Sequence, residues 1–233
     1  MKKTGLTIVA ILLFTACNNN QEAFKEVKIG GQVWMTQNLN VERFCNGDTI
    51  PEARTEKQWV KASENRQPAW CHYDNDVQNG RKYGKLYNWY AVNDPRGLAP
   101  KGWRIPSEED WSTLTEFTGD VNPRFPSISF KSGNKLNASS GWVNDRNGNN
   151  ESGFSALPAG IRNHLKLNED SSFGGMGYVA YFWSSSNAVE DEWTTHFADG
   201  SPNQARGITF LGYDVGRSNF WKGLGLSVRC IKN

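Results

Sequence analysis

Histidine and cysteine are scarce in this chain, which has 3 His and 4 Cys in 233 residues. The cysteines never stand in a C-x-x-C spacing, and no histidine lies near Cys45 or Cys230 in the sequence. The sequence therefore gives no support to a zinc ribbon or a dithiol redox motif. A G-x-S-x-G elbow is also missing, and no pair of carboxylates stands apart from the solvated charges. None of these patterns indicates an enzyme.

An excess of positive charge is missing as well, apart from the N-terminus. The full chain has 26 Lys and Arg against 24 Asp and Glu. Lys2 and Lys3 account for the difference, so the chain without its first residues has a formal net charge of zero. Binding to a phosphate backbone depends on clustered Lys and Arg, which this sequence does not contain. We therefore do not expect nucleic acid as a partner.

Long apolar runs are limited to the N-terminus. Basic Lys2 and Lys3 precede an apolar stretch over residues 5–14, which leads to Phe14-Thr15-Ala16-Cys17. This arrangement is similar to a bacterial lipobox, with residues 1–16 as the signal peptide and Cys17 as the lipid-modified first residue. The stretch is too short to cross a bilayer of about 30 Å. An ordinary secretory signal cleaved near Ala16 is the alternative, and it would leave Cys17 as a free thiol.

After the leader, the sequence predicts a tether followed by one domain. Residues 17–26 include the polar run NNNQE, which cannot bury enough apolar surface to fold. Residues 27–233 suit a single domain of β-rich or α+β type. A hairpin is expected around Gly30-Gly31, and a helix is expected from Ser107 to Gly119. Further predictions are a shorter helix over 55–62, a strand over 193–197 before an Asp199-Gly200 turn, and a closing strand over 224–230.

Six segments resemble one family in their order along the chain. The chain is thereby identified as a member of the Fibrobacter succinogenes major paralogous domain family, and the likeness runs from Val27 to the C-terminus. The segments are 27–39 (VKIGGQVWMTQNL), 83–92 (YGKLYNWYAV), 97–106 (GLAPKGWRIP), 151–160 (ESGFSALPAG), 183–186 (WSSS) and 227–230 (SVRC).

A second resemblance concerns the fold. Residues 102–111 (GWRIPSEEDW) look like a stretch of formylglycine-generating enzymes, and residues 227–230 look like their closing strand. This implies a C-type-lectin-like α+β fold, loop-rich, with paired N- and C-terminal strands and one main helix near 107–119. The catalytic cysteine pair of those enzymes has no counterpart between Cys71 and Cys230. The related iron-dependent sulfoxide synthases need three clustered histidines, whereas His72, His164 and His196 are far apart in the sequence.

The family resemblance also bears on the cysteines. With Cys17 lipidated, an odd number of three thiols remains in an oxidising compartment. Cys71 and Cys230 match family positions and Cys45 does not, so the resemblance implies a Cys71–Cys230 disulfide.

A run of amide and carboxylate side chains over 144–151 concentrates oxygen atoms suited to calcium. The run does not have the EF-hand spacing, so an ordinary Asn-Gly loop is the favoured interpretation. The alternative is a structural Ca²⁺ at Asp145, Asn147 and Glu151.

Two segments, 142–151 and 213–221, mix aromatic and polar residues and are the expected ligand-binding loops. Tryptophan faces can pack on a sugar ring, while amides and charges supply oriented hydrogen bonds. The alternative is that both tryptophans are buried anchors. The predicted contact residues are Trp142, Asn144, Asp145, Asn147, Asn150, Glu151, Arg217 and Trp221.

Together these features predict a lipoprotein anchored to the bacterial cell envelope, at the outer membrane or cell surface. Its domain is expected to bind a ligand or mediate adhesion without catalysis, with a glycan or a surface protein as partner. One alternative is a structural component of envelope or adhesin assembly that binds partner proteins. Another is a divergent enzyme of the formylglycine-generating fold, which would need a reactive cysteine or histidine cluster formed only on folding.

The lipobox predicts that Cys17→Ala abolishes acyl labelling and releases the protein from membranes, because acyl chains are the only anchor the sequence indicates. Metabolic labelling with a fatty acid and fractionation of membranes measure both effects. Unchanged labelling and retention in this variant would contradict the prediction.

Overall fold

The computed structural model describes residues 24–123, 128–163, 172–188 and 203–233. The predicted signal peptide, Cys17 and most of the tether lie outside these residues, as do the predicted strand and turn over 193–200 and both His164 and His196. The helices are α1 (Glu56–Glu64), α2 (Val77–Tyr83), α3 (Trp89–Val92), α4 (Glu108–Thr118) and α5 (Ser132–Leu136), with one 3₁₀ turn at Tyr73–Asn75.

The strands form two main antiparallel sheets. The four-stranded sheet has the order β1 (Glu26–Ile29), β2 (Gln32–Met35), β13 (Ile231–Lys232), β5 (Trp103–Arg104). The five-stranded sheet has the order β10 (Ala180–Asn187), β11 (Gln204–Leu211), β12 (Asp214–Trp221), β7 (Ile128–Phe130), β6 (Asp120–Val121). Two short ribbons pair β3 (Trp70–Cys71) with β4 (Leu86–Tyr87) and β8 (Ile161–Arg162) with β9 (Phe173–Gly174).

The N-terminal hairpin and both predicted helices are confirmed. Gly30, at φ 58°, lies in the turn between β1 and β2. The Ser107 hydroxyl accepts a hydrogen bond from the Asp110 amide, and the Asp110 side chain accepts one from the Ser107 amide, so the helix starts with a capping box. The α4 helix buries Trp111 and Leu114, but Phe117 is 64% exposed. Phe117 continues the three-residue spacing of Trp111 and Leu114 but does not belong to the buried face.

The chain ends pair as expected, although the closing strand is shorter and later than predicted. Ile231 pairs with Trp34 on one side and Arg104 on the other. Residues 224–228 are not a regular strand. They make single bridges to three separate elements, including Tyr87 with Leu226 and Phe182 with Ser227. The end of the chain thus joins parts of the domain that are distant in sequence.

Segment 213–221, expected as a loop, is mostly the strand β12. Its residues pair one by one with β11 across a two-residue turn at Gly212-Tyr213. Gly212 has φ 64°, which suits the first central position of a type II′ hairpin turn. Arg217, in the middle of β12, forms an ion pair of 3.2 Å with Glu108 of α4. Arg206, buried on β11, forms a second one of 2.8 Å with the same carboxylate.

Arg229 is fully buried at the centre of the domain. Its Nη2 and Nε donate to the Asn38 side-chain oxygen at 2.7 and 3.2 Å, and Nη1 donates to the carbonyls of Met35 and Phe154. The guanidinium also lies 4.5 Å from the centre of the Phe154 ring. Burial lowers the pKa of Arg229 to about 9, so the group is still charged at neutral pH. This residue joins three of the family segments.

Arg229→Met should lower the free energy of unfolding by about 3 kcal/mol or more. It leaves several buried oxygen atoms without donors, and each such atom costs about 1–3 kcal/mol. Denaturant unfolding followed by tryptophan fluorescence measures the change.

Arg54→Met is the matched control, because Arg54 is a largely exposed arginine paired with Glu52. Its denaturation midpoint should stay at the wild-type value. Equal losses in the two variants would contradict a central role for Arg229.

Candidate binding surface

Trp142 opens the first predicted ligand loop but is a core residue. Its side chain is 5% exposed and belongs to the hydrophobic cluster that includes Trp34 and Trp111. Its indole Nε1 donates to the carbonyl of Ala156 at 3.0 Å. The prediction of a ligand contact at Trp142 is therefore wrong, since the ring is used to hold the loop onto the core.

The tip of the same loop is open to solvent. Asn144 and Asp145 are exposed and have φ of 53° and 55°, a left-handed conformation that Asn and Asp adopt more readily than other residues. The Asn147 side-chain oxygen accepts the Trp142 amide at 3.0 Å, which closes the loop on itself. Asn144 and Asp145 thus keep their predicted place on the surface, and Asn147 acts within the loop.

The other predicted contact residues of this loop, Asn150 and Glu151, do not lie at its tip. The Asn150 side chain donates to the Ser155 hydroxyl and accepts from the Ser155 backbone amide, at 2.8 Å each, so it is used within the loop. Glu151 is exposed and lines a separate small cavity of about 230 Å³ with Lys28 and Lys135. The described residues contain no group of three His, Cys, Asp or Glu side chains placed to hold a metal ion.

The two predicted contact residues of the second segment, Arg217 and Trp221, do not lie with the first loop. Arg217 is held inside the fold by Glu108 and donates to the Ser112 hydroxyl, so it is not a surface contact. Trp221 is 38% exposed, but it ends β12, whereas the first loop lies near the start of that strand. Eight extended residues span about 26 Å. The predicted set is therefore divided among separate places.

Two tyrosines that are not among the predicted contact residues flank the first loop. The Tyr213 hydroxyl donates to the carbonyl of Asp145 at 3.1 Å, and Arg146 donates to the carbonyl of Tyr178 at 3.4 Å. Both rings remain about half exposed, at 50% and 45%. Each tyrosine directly follows a glycine in a turn. This position in the sequence could have indicated that the two side chains are exposed.

We call this area the loop surface. It combines two aromatic faces, one aliphatic side chain that is 37% exposed, and groups of both charges. The Val143 amide donates to the Gly177 carbonyl at 2.9 Å, which fixes the two loops to each other. Such a surface can pack on an apolar face and make hydrogen bonds around it. Its members are Val143, Asn144, Asp145, Arg146, Tyr178 and Tyr213.

The cysteines of the described chain are all free thiols, so the disulfide implied by the family resemblance is not formed. Cys71 packs in one hydrophobic cluster with Trp59 and Leu86, whereas Cys230 packs in another with Met35. Burial raises the pKa of Cys71 to about 11 and that of Cys230 to about 12. Both are therefore protonated and poorly nucleophilic at neutral pH.

Cys45 is the exposed thiol, and it lines a cavity of about 630 Å³. Its Sγ donates to the Ala99 carbonyl at 2.7 Å. The cavity wall combines Glu42, Arg43 and Lys101 with the apolar Phe44 and Leu98. This mixed lining does not define one chemical class of ligand.

His72 is the histidine that the structure describes. It is 7% exposed, and its ring packs edge-on against Trp70 at 5.2 Å. Burial is the main cause of its lowered pKa, so the imidazole is neutral at pH 7. A methyl group on Gly80 would lie 2.0 Å from its Nδ1, which shows how tightly the ring is packed. His72 is therefore a packing residue in this fold.

Fold and surface together define an α+β domain with two antiparallel sheets and a solvent-facing loop surface. The chain belongs to the Fibrobacter succinogenes major domain family, whose model matches residues 27–232. Neither a curated protein nor a solved structure matches the chain. Within the described ranges, no helix has the length and apolar character needed to cross a membrane.

Alkylation should distinguish the three thiols. In the native protein, iodoacetamide should modify Cys45 and leave Cys71 and Cys230 unmodified, because the latter are buried and protonated. After denaturation without reductant, all three should react. Mass spectrometry of the peptides measures this, and a peptide pair cross-linked through Cys71 and Cys230 would contradict the free thiols.

Proposed function

We propose that this protein is a lipoprotein of the bacterial cell envelope, anchored by acyl chains on Cys17 at the outer membrane or cell surface. Its folded domain binds a ligand or mediates adhesion without catalysis. The leader, the cysteine at the cleavage site and the polar run before Phe24 support the anchor. Such an arrangement would hold the domain just outside the membrane.

The loop surface is the observation that carries the binding role. Tyr178 and Tyr213 are large side chains left half exposed in a domain that buries most of its aromatic residues. Around them, the Asp145 carboxylate, the Asn144 amide and the Arg146 guanidinium supply acceptors and donors. Flat aromatic faces next to oriented polar groups suit a glycan, whose rings have apolar faces and polar edges.

A partner protein is the second candidate, in line with a structural role in envelope or adhesin assembly. Tyrosine and arginine are enriched among the residues that contribute most to protein interfaces. The loop surface presents both, with Arg146 bonded to the Tyr178 carbonyl. A pull-down separates this candidate from the glycan.

We also propose that the fold is C-type-lectin-like. The pairing of Ile231 with Trp34 joins the two ends of the domain, as that fold requires. The long irregular stretch after α5, over residues 137–160, provides part of the loop surface. A calcium ion is not needed for this arrangement, because the Asn147 side-chain oxygen is already bonded to the Trp142 amide.

Catalysis is not part of the proposal. The two buried cysteines have raised pKa values and are poor nucleophiles. The residues that line the cavity of the exposed Cys45 include no described histidine. The reaction of the formylglycine-generating enzymes has no support in this arrangement.

The test is a glycan array and a pull-down from envelope extracts with the full-length protein. For whichever ligand is found, Tyr178→Ala with Tyr213→Ala should weaken binding at least tenfold, about 1.4 kcal/mol, while the melting temperature stays nearly unchanged. Trp142→Ala should instead cost about 3–5 kcal/mol of stability. A chelator should not alter binding if the surface works without calcium.

Phe117→Ala is the matched control, since Phe117 is an exposed aromatic residue outside the loop surface. Tyr213→Phe keeps the ring and removes only the hydrogen bond to Asp145. Wild-type affinity in the double tyrosine variant, or equal loss in Phe117→Ala, would show that the loop surface is not the binding site.

A further inference from the structure

A further cavity lies at the opposite end of β12 from the turn that carries Tyr213. It has a volume of about 260 Å³ and is formed where the end of α1 meets the end of β12. This volume is below the roughly 300–1,000 Å³ of sites for drug-sized ligands, so it suits a single ring and not an extended molecule. The side chains that line it are those of Ser63, Glu64, Arg66, Tyr90, Asn203 and Trp221.

Two aromatic side chains form the apolar part of the wall. Trp221 is the last residue of β12, opposite Gln204 in the hairpin, and 38% of its surface is exposed. Tyr90 lies on α3 and is half-buried. Burial is the main cause of the raised pKa of Tyr90, so its hydroxyl remains protonated and can donate a hydrogen bond.

The polar part of the wall has both donors and acceptors. Arg66 follows the C-cap of α1 with φ 53°, and its Nη2 donates to the Asn203 side-chain oxygen at 3.5 Å. Glu64 adds a carboxylate that accepts only, and Ser63 adds a hydroxyl that can do both. These donors and acceptors match a ligand that both donates and accepts hydrogen bonds at neighbouring atoms.

We propose that this cavity binds one neutral pyranose ring, such as a terminal sugar of a glycan. The C–H face of a pyranose packs on an aromatic ring, and its hydroxyl groups both donate to Glu64 and accept from Arg66. The wall carries one charge of each sign, those of Glu64 and Arg66, so it gives no net attraction to a phosphate or carboxylate ligand. A purely apolar ligand would leave the hydrogen-bonding groups of the wall unused.

This site is independent of the proposed loop surface. The start and end of β12 are about 26 Å apart, so one small ligand cannot contact both places. The inference also does not depend on the lipid anchor. An experiment can therefore contradict one of the two proposals and leave the other intact.

The experiment titrates the full-length protein with free glucose, galactose, mannose and N-acetylglucosamine. Isothermal titration calorimetry and tryptophan fluorescence measure binding. At least one sugar should bind saturably with a Kd of about 1 mM, the weak end of specific recognition. Trp221→Ala and Glu64→Gln should each weaken that binding at least tenfold. Tyr178→Ala with Tyr213→Ala, and Phe117→Ala, should leave it unchanged.

Inorganic phosphate is the anionic probe and should not compete with the sugar. If Trp221→Ala unfolds, Glu64→Gln decides the question, because that substitution keeps the shape of the side chain. The proposal is overturned if no sugar binds the wild-type protein, if Glu64→Gln binds normally, or if phosphate displaces the sugar. Loss of sugar binding in the double tyrosine variant would show that the sugar binds at the loop surface. That result would also overturn the proposal.

Discussion

The burial of one guanidinium group, that of Arg229, is the constraint on which much of the domain depends. A buried cation is tolerated only where hydrogen bonds replace its water, and here Asn38, Met35, Phe154 and Ser155 supply them. These residues come from the start and the middle of the domain, and Arg229 comes from its end. The core can therefore close only when all three segments are in place.

The loop surface depends on this arrangement through Phe154. The same stretch of chain that bonds to Arg229 offers the Ala156 carbonyl to the indole of Trp142. Trp142 in turn holds the loop whose tip is Asn144 and Asp145, and Tyr213 closes the loop from β12. A rigid core thus fixes a loop that lacks regular secondary structure of its own, which is the usual way in which binding loops are positioned.

Local patterns in the sequence were sufficient for the N-terminal hairpin and for α4, because Gly30 and the Ser107–Asp110 capping box act over a few residues. They failed for β12, where the partner of Arg217 is Glu108, about a hundred positions earlier in the chain. The prediction of the ligand-contact residues failed for the same reason. Whether an aromatic residue such as Trp142 or Tyr213 is buried or exposed depends on distant contacts and not on its neighbours in the chain.

The partners of Arg229 determine how its hydrogen bonds respond to low pH. Carbonyl and amide oxygens do not take up protons in the range where Asp and Glu do, near pH 4. The partners of Arg229 are oxygens of this kind, and the guanidinium itself stays charged as the pH falls. The hydrogen bonds of Arg229, which join the start, the middle and the end of the domain, therefore contain no group that acid neutralises.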